Sequence, residues 1–229
     1  MKKTFKFMAL LAMGAALAFA ACGTGGGTGT ETAEWVDLGL PSGLLWAKCN
    51  LGASSPEEYG DYYAWGETTT KSNYNWSTYK YCTKDAEGEL AMLTKYNTRS
   101  DYGTLDNLTT LEAMDDAATQ KLGSGARLPT KAEWEELINN TTAEWTTLNG
   151  VNGRKFTASN GKSLFLPAAG CRWDGELYST GDDGHYWSSS LYESYPDGAW
   201  FFYFDSDDLS VDGSDRRSGP SVRPVRSAR

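Results

Sequence analysis

The pattern of apolar and polar residues predicts one short amphipathic helix most clearly. Its apolar side chains recur at helical spacing and share one face: Trp134, Leu137 and Ile138. Thr130 and Glu133 stand three residues apart, as a capping box requires, and Pro129 keeps the residue before it out of the helical region. We therefore predict a helix over residues 130–139 that follows an extended entry.

A second helix is predicted upstream of the first. Thr109 and Glu112 have the spacing of another capping box, and Gly123 is the residue type that commonly ends a helix. Apolar residues at helical spacing lie between them: Met114, Ala118 and Leu122. This pattern predicts that helical structure begins directly after Thr109.

Short alternating runs bounded by turn residues predict strands. The predicted strands cover residues 35–40, 44–51, 144–148, 155–158, 163–166, 185–191, 199–204, 209–211 and 221–225. Pro41, Ser42 and Gly43 suit a tight turn, so the first two strands should form a hairpin. Residues 68–104 are polar without a sustained period and predict a packed loop layer. The fold class is therefore α+β: two helices, many short antiparallel strands and long loops.

The composition fits a single loop-rich domain with a substantial core. Of 229 residues, 40% are hydrophobic and 13% aromatic, and 25 are glycine, which favours many aromatic core residues among turns over a helical bundle. The formal net charge is -9 and becomes more negative when the lysines of the N-terminal leader are removed. A surface this acidic repels phosphate backbones, so the charge argues against a nucleic-acid partner.

The N-terminus has the pattern of an export signal. A lysine-containing start precedes a short apolar run, which predicts a lipoprotein signal peptide over residues 1–21. Phe19, Ala20, Ala21 and Cys22 resemble a lipobox, with phenylalanine where leucine is more usual, so we expect lipidation of Cys22. The alternative is ordinary cleavage after Ala20 without a lipid. Mass spectrometry of the mature N-terminus distinguishes the two.

The remainder divides into a tether, one domain and a tail. Residues 22–33 are rich in glycine and threonine and predict a flexible tether, because such a segment has little apolar surface to bury. Residues 34–226 form the predicted domain, and residues 227–229 a short tail. The expected location is the outer membrane, on either the cell surface or the periplasmic face. We expect a monomer that contacts the membrane only through its lipid.

Five segments carry a resemblance to a known family. They are residues 36–47 (VDLGLPSGLLWA), 127–135 (RLPTKAEWE), 166–170 (LPAAG), 186–190 (YWSSS) and 219–226 (GPSVRPVR). In this order they resemble the Fibrobacter succinogenes major paralogous domain family, within the formylglycine-generating enzyme (sulfatase-modifying factor) superfamily. The resemblance implies a C-type-lectin-like domain from about residue 35 to residue 226, without a general activity that can be transferred.

The cysteines depart from the pattern of the catalytic relatives. Formylglycine-generating enzymes use two cysteines close together near the C-terminal end, whereas no cysteine follows Cys171 here. An oxidase of this type therefore remains only as an alternative, with Cys171 as the nearest candidate thiol.

Two of the three cysteines outside the leader could pair in an oxidising compartment, and we favour Cys49–Cys82 because that bond would pin the long loop to the first hairpin.

The sequence offers few groups for catalysis or metal binding. His185 is the only histidine, which excludes a site with several histidines, and it is expected to be a strand residue beside Trp187. Adjacent carboxylates in a strand or helix point to different sides, so the acidic pairs predict solvated surface. We predict no catalytic residues and no cofactor, with calcium at residues 182–184 or 205–208 as the alternative left open.

The C-terminal third carries the predicted binding surface. Along residues 187–217, large apolar residues alternate with Tyr, Ser, Asp and Arg, which predicts one buried and one solvent-facing strand surface. The apolar residues that should anchor the buried surface are Trp187, Trp200, Phe202, Phe204 and Val211. Tyrosine gives rigid contact area, and serine and aspartate give adaptable hydrogen bonds, as in antibody paratopes. The predicted ligand-binding residues are Trp173, Tyr178, Tyr192, Glu193, Tyr195, Asp197, Asp205, Asp207, Arg216 and Arg217.

The resemblance adds one further hypothesis. Some proteins of the C-type-lectin fold carry a C-terminal segment diversified by retroelements, so residues 192–217 could be such a segment. The expected function is a non-catalytic envelope lipoprotein that binds a protein or glycan ligand through this surface. The alternatives are an enzyme of the formylglycine-generating type and a structural surface protein whose aromatic residues serve only the core.

Overall fold

The first and last strands of the domain meet in one sheet. The computed structural model describes residues 33–123 and 125–228. The sheet has the order β1-β2-β14-β5, with the strands Trp35–Asp37, Leu44–Ala47, Val225–Ser227 and Ala126–Arg127. β1 and β2 pair antiparallel as the predicted hairpin, and Gly43, at a φ of +68°, donates its N–H to the Leu40 carbonyl to close the turn.

Some sequence predictions fall outside this part of the chain. The signal peptide at 1–21, the lipidated Cys22 and nearly all of the tether at 22–33 lie outside the described residues. Within the described residues, no helix is long and apolar enough to cross a membrane.

Helix α2 (Lys131–Asn140) confirms the predicted capping box. The Glu133 N–H donates to the Thr130 hydroxyl at 3.3 Å, and the Thr130 N–H donates to the Glu133 carboxylate at 2.8 Å. Arg127, at the end of β5, donates to both oxygens of the same carboxylate at 2.6 and 2.7 Å. The buried side chains of Trp134 and Leu137 then fix the helix on the sheets behind it.

Removing the cap should have a modest, measurable effect. The change Thr130→Ala is expected to lower the free energy of unfolding by about 1 kcal/mol, because the Glu133 N–H loses its acceptor. Urea denaturation followed by tryptophan fluorescence measures the change. Thr142→Ala, at an exposed position of a strand, is the control and should cost less. Equal losses in the two variants would show that the cap contributes nothing specific.

The predicted start of the upstream helix is wrong. A 3₁₀ turn covers Ala113–Asp115, and α1 covers only Ala117–Leu122. Residues 109–111 are extended instead, because the Leu191 N–H donates to the Thr109 carbonyl and the Leu111 N–H to the Ser189 carbonyl. Asp116 is the true N-cap and accepts the Thr119 N–H at 2.9 Å. The predicted stop at Gly123 is confirmed.

The remaining strands form small antiparallel sheets. One has the order β6-β7-β8, with the strands Thr141–Leu148, Val151–Ala158 and Ser163–Pro167. A second has the order β11-β12-β13, with the strands Gly184–Leu191, Gly198–Phe204 and Leu209–Asp215. Two hairpins complete the set: β3-β4 (Cys82–Lys84 and Leu90–Leu93) and β9-β10 (Cys171–Trp173 and Glu176–Tyr178). The α+β class is therefore confirmed.

The predicted last strand is displaced. Only Val225 of the predicted residues 221–225 lies in β14. Ser221 instead makes isolated bridges to Tyr62 and Tyr186.

The long segment at 68–104 is a packed layer, as predicted, although it includes β3 and β4. Four of its five tyrosines are buried: Tyr74, Tyr79, Tyr81 and Tyr96. They form one core with Trp65 and Trp187, while a second core groups α2 with β7 and β12 through Trp134, Phe156 and Phe202.

β12 lies between these two cores, which corrects the predicted solvent-facing surface. Phe202 and Phe204 belong to the second core, but Ala199 and Phe201, on the other face of the strand, belong to the first. Five of the seven residues of β12 are therefore buried, and Tyr203 on the Phe201 face is partly exposed. The predicted anchor Trp200, by contrast, is only partly buried.

Candidate functional site

The structure does not gather the ten predicted ligand-binding residues into one surface. They lie in four places: the loop between β11 and β12, the turn between β12 and β13, the β9-β10 hairpin, and the segment after β13. β12 and β13 are antiparallel, with Gly198 opposite Asp215 and Phe204 opposite Leu209. The first two groups therefore sit at opposite ends of the same sheet.

Arg216 is not a surface residue, which corrects the prediction for this position. Its side chain is 0% exposed. The guanidinium donates to four acceptors at 2.8–2.9 Å: the Tyr79 hydroxyl and the carbonyls of Lys95, Tyr96 and Pro196. Three of these acceptors belong to the packed layer, and Pro196 belongs to the β11-β12 loop. Arg216 therefore joins that loop to the core.

Arg217, Trp173 and Tyr178 occupy a separate region. The Arg217 guanidinium lies 4.2 Å from the Trp173 ring centroid and forms an ion pair with Asp215 at 3.2 Å. Its side chain is only 15% exposed, so the contact mainly secures the β9-β10 hairpin. Tyr178, on the other strand of the hairpin, is exposed.

Asp205 and Asp207 lie in a tight turn at the far end of the sheet. The Asp205 carboxylate accepts the N–H groups of Asp207 and Asp208 at 2.7 Å each. These backbone hydrogen bonds hold the pKa of Asp205 below its ordinary value. Asp205 therefore shapes this turn, as aspartate commonly does.

The β11-β12 loop holds the four remaining residues: Tyr192, Glu193, Tyr195 and Asp197. The Tyr192 ring lies 4.5 Å from the Trp200 ring and 5.6 Å from the Tyr195 ring, measured between centroids. Tyr195 is 55% exposed at the end of this row. We call Tyr192, Tyr195 and Trp200 the aromatic tip.

The backbone of the loop is fixed from several directions. The Thr98 hydroxyl donates to the Glu193 carbonyl at 2.9 Å, and Arg99 donates to the Ser194 carbonyl at 3.0 Å. Arg216 holds the Pro196 carbonyl from inside and donates its own N–H to the Asp197 carbonyl at 2.9 Å. The tip is therefore positioned before any ligand arrives, which reduces the entropy lost on binding.

Gly213 makes the arrangement of the rings possible. A Cβ atom at this position would stand 2.4 Å from Cδ1 of Tyr192, closer than real atoms approach. Because Gly213 has no side chain, the Tyr192 ring can lie against β13 and contact Trp200.

Charged groups surround the aromatic tip. The Lys131 ammonium, at the start of α2, lies 4.5 Å from the Trp200 ring centroid and pairs with Glu135 at 2.7 Å. Arg99 pairs with the exposed Asp101 at 2.6 Å. Burial raises the pKa of Asp197, and the nearby Asp215 raises it further. The site offers aromatic faces together with hydrogen-bonding groups of both charges.

The sequence prediction missed Trp200, Lys131 and Arg99 as parts of this surface. Trp200 alternates with Phe202, and this pattern predicts a core position. Lys131 and Glu135 have the spacing of a helical ion pair, which marks exposed helix surface but not its neighbour in the fold. Arg99 is far away in the sequence, and its local pattern gives no indication of the contact.

The thiols give no support to a reactive cysteine. Cys82 is a free thiol, so the predicted Cys49–Cys82 disulfide is wrong. The reason is local: Cys82 is buried within the packed layer, with its sulfur directed at the Trp76 and Tyr79 carbonyls. Burial raises the pKa of Cys171 to about 11, with a further contribution from Asp183, and burial also raises the pKa of Cys82. Both remain protonated at neutral pH and are poor nucleophiles.

His185 lies in β11 on the same face as Trp187, as expected for a strand residue. Burial lowers its pKa, although Asp183, 3.8 Å from Nε2, opposes the shift. Residues 33–123 and 125–228 contain no group of three or more His, Cys, Asp or Glu side chains that could hold a metal ion.

Comparison with known protein families gives a match over the C-terminal part of the chain. Residues 141–225 match a family described as "Domain of unknown function (DUF8237)". The matched region runs from β6 to the first residue of β14 and includes the aromatic tip. Comparisons with curated proteins and with solved structures gave no significant match.

Proposed function

We propose that this chain is a non-catalytic binding module of C-type-lectin-like architecture that recognises a protein or glycan partner through the aromatic tip. The observation that carries the proposal is the row of three contacting rings, with Tyr195 55% exposed, on a loop whose backbone is fixed by Thr98, Arg99 and Arg216. Exposed, preorganised aromatic side chains surrounded by polar groups are typical of binding surfaces.

The proposal includes the cell envelope. A lipid on Cys22 would anchor the chain, and the glycine- and threonine-rich tether at 22–33 would hold the domain away from the bilayer. The short antiparallel strands, two helices and long packed layer are consistent with the C-type-lectin-like fold that the sequence motifs imply. An outer-membrane location follows from the same resemblance and is part of the proposal.

Diversification, if it occurs, would be limited by burial. Within residues 192–217, Phe202, Phe204 and Arg216 are fully buried, so variation there would disrupt the core. The exposed positions of the loop, such as Glu193 and Tyr195, could vary without this cost. A genome neighbourhood with neither a reverse transcriptase nor a near-identical template repeat would argue against diversification and leave the binding proposal intact.

The combined change Tyr192→Ala/Tyr195→Ala tests the function. The purified chain and the variant are compared on a glycan array and against immobilised envelope proteins. We expect at least one saturable partner for the unmodified chain and a loss of roughly tenfold or more in its affinity in the variant, since aromatic contacts of this kind dominate binding energies.

Tyr178→Ala is the matched control, because Tyr178 is an exposed tyrosine in another hairpin. It should leave the partner bound. A purely structural role for the aromatic residues predicts the opposite pattern, in which the double variant loses stability and no partner depends on the tip. A partner whose affinity is unchanged by the double variant would contradict the proposed site.

A further inference from the structure

A second concave surface lies on the other face of the C-terminal sheet. It is a groove of about 490 Å³ whose lining includes His185, Phe201, Tyr203, Asp208, Ser210 and Asp212. Phe201 and Trp200 are neighbours in β12 and therefore point to opposite faces of the sheet. The groove and the aromatic tip are thus separate surfaces.

Aromatic rings form one wall of the groove. The His185 and Phe201 rings are parallel within 3°, with centroids 5.5 Å apart, and the Tyr203 ring stands at 73° to His185 with a centroid distance of 5.3 Å. Burial lowers the pKa of His185, so at neutral pH the imidazole contributes a neutral ring. Tyr203 is the partly exposed ring, whereas Phe201 is only 8% exposed, and the face of a tyrosine attracts organic cations.

Carboxylates surround the rings without cationic partners. Asp208 and Asp212 line the groove, and Asp205 accepts the Tyr203 hydroxyl at 2.9 Å beside it. Asp183 lies 3.8 Å from His185. Within the described residues, none of these four carboxylates forms an ion pair with a lysine or arginine.

Arg154 is the basic residue next to this end of the sheet. It donates to the backbone carbonyls of Asp205 and Asp208 at 2.8 and 3.2 Å, and it is itself buried. It therefore offsets part of the charge of the turn but forms no ion pair with the side-chain carboxylates, of which Asp205 and Asp212 accept neutral backbone N–H groups. The groove keeps a negative character that complements a positively charged ligand.

The strand that borders the groove has an open edge. β13 pairs with β12 only, and no other described strand pairs with it. Backbone groups along such an edge can pair with a strand of another chain. Ser210 and Asp212 of β13 line the groove, so a polypeptide along this edge would carry its side chains past the rings and carboxylates.

We propose that the groove binds a lysine or arginine side chain of a partner polypeptide, and that the partner strand lies along the open edge of β13. The aromatic wall contacts the alkyl stem and the cation, and Asp208 and Asp212 balance its charge. This inference does not rest on the proposed role of the aromatic tip, because the two surfaces share no residue.

The test uses a blocked seven-residue peptide that alternates lysine with threonine, titrated into the purified chain by isothermal calorimetry at low salt. We expect saturable binding that weakens roughly tenfold or more in Asp208→Asn/Asp212→Asn, because two unpaired carboxylates and the cation they face no longer attract each other. Both positions are exposed, so the variant should fold normally.

Matched controls separate recognition by the groove from general attraction between opposite charges. Glu87→Gln/Glu144→Gln removes the same charge at exposed positions elsewhere and should bind like the unmodified chain. The peptide with acetylated lysines should not bind, and Tyr192→Ala/Tyr195→Ala should bind normally even if the aromatic tip has no ligand.

Three results would overturn the inference. Without saturable binding, the groove has no such ligand. If the two acidic double variants lose affinity equally, the attraction is only general charge. If blocked single lysine binds as tightly as the peptide, the edge of β13 contributes nothing and the polypeptide partner is wrong.

Discussion

Replacement of Arg216 by methionine is expected to lower the free energy of unfolding by about 3–5 kcal/mol. The side chain is fully buried, and its guanidinium donates to the Tyr79 hydroxyl and to three carbonyls. Methionine fills similar space but donates no hydrogen bond. Each buried acceptor would then lose a partner that water cannot readily replace.

Arg217→Met is the matched control at the next position. Its ion pairs, 3.2 Å to Asp215 and 3.8 Å to Asp174, lie nearer the surface, so the expected loss is about 1 kcal/mol or less. Urea denaturation followed by tryptophan fluorescence compares the two variants. Hydrogen exchange should also become faster at the amides of residues 192–195 and 197 in Arg216→Met. Similar losses in both variants would contradict the role assigned to Arg216.

Arg223 is expected to be the second most sensitive position. It is fully buried and donates to the Asn50 side chain and to the carbonyls of Ala47, Lys48 and Phe165, which ties the end of β2 to β8. Burial lowers its pKa to about 10, and the nearby Tyr186 hydroxyl opposes part of that shift, so the buried cation depends on its polar neighbours. Lysine cannot reproduce the planar fork, and Arg223→Lys should cost about 2–4 kcal/mol.

Arg226→Lys is the control for this change. The Arg226 guanidinium lies 4.5 Å from the Trp35 ring centroid at a partly exposed position, where the contribution of such a contact is about 1 kcal/mol or less. Thermal unfolding of the two variants at pH 7 provides the comparison. A melting temperature that falls no further in Arg223→Lys than in Arg226→Lys would show that the four hydrogen bonds add little.

Local signals in the sequence predicted local structure well. The capping box of α2 needs only Thr130 and Glu133, and the hairpin of β1 and β2 needs only its turn residues, so both were predicted correctly. The start of α1 was not predicted, because residues 109–111 are drawn into an extended pairing with β11, about 80 residues away in the sequence. Tertiary pairing there prevails over a capping pattern that looks favourable locally.

The candidate site could be predicted only in part for the same reason. The tyrosines of the β11-β12 loop were found, since exposed aromatic residues in a polar loop are visible in the sequence. Arg216 and Arg217 are adjacent and chemically identical, yet Arg216 is fully buried and Arg217 is only partly buried. What separates them is a set of carbonyls at residues 95, 96 and 196, which no pattern around residue 216 reveals.

The position of a bound ligand tests the central claim most directly. The chain has nine tryptophans, and their indole N–H groups give separate NMR signals, of which Trp200→Phe identifies one. A partner found on the glycan array or among the envelope proteins is titrated into the labelled chain. If the partner binds at the aromatic tip, the indole signal of Trp200 should shift in proportion to the occupancy of the site. The signal of Trp173, which lies beside Arg217, should stay in place. A ligand that moves Trp173 or another indole and leaves Trp200 unchanged would contradict the account.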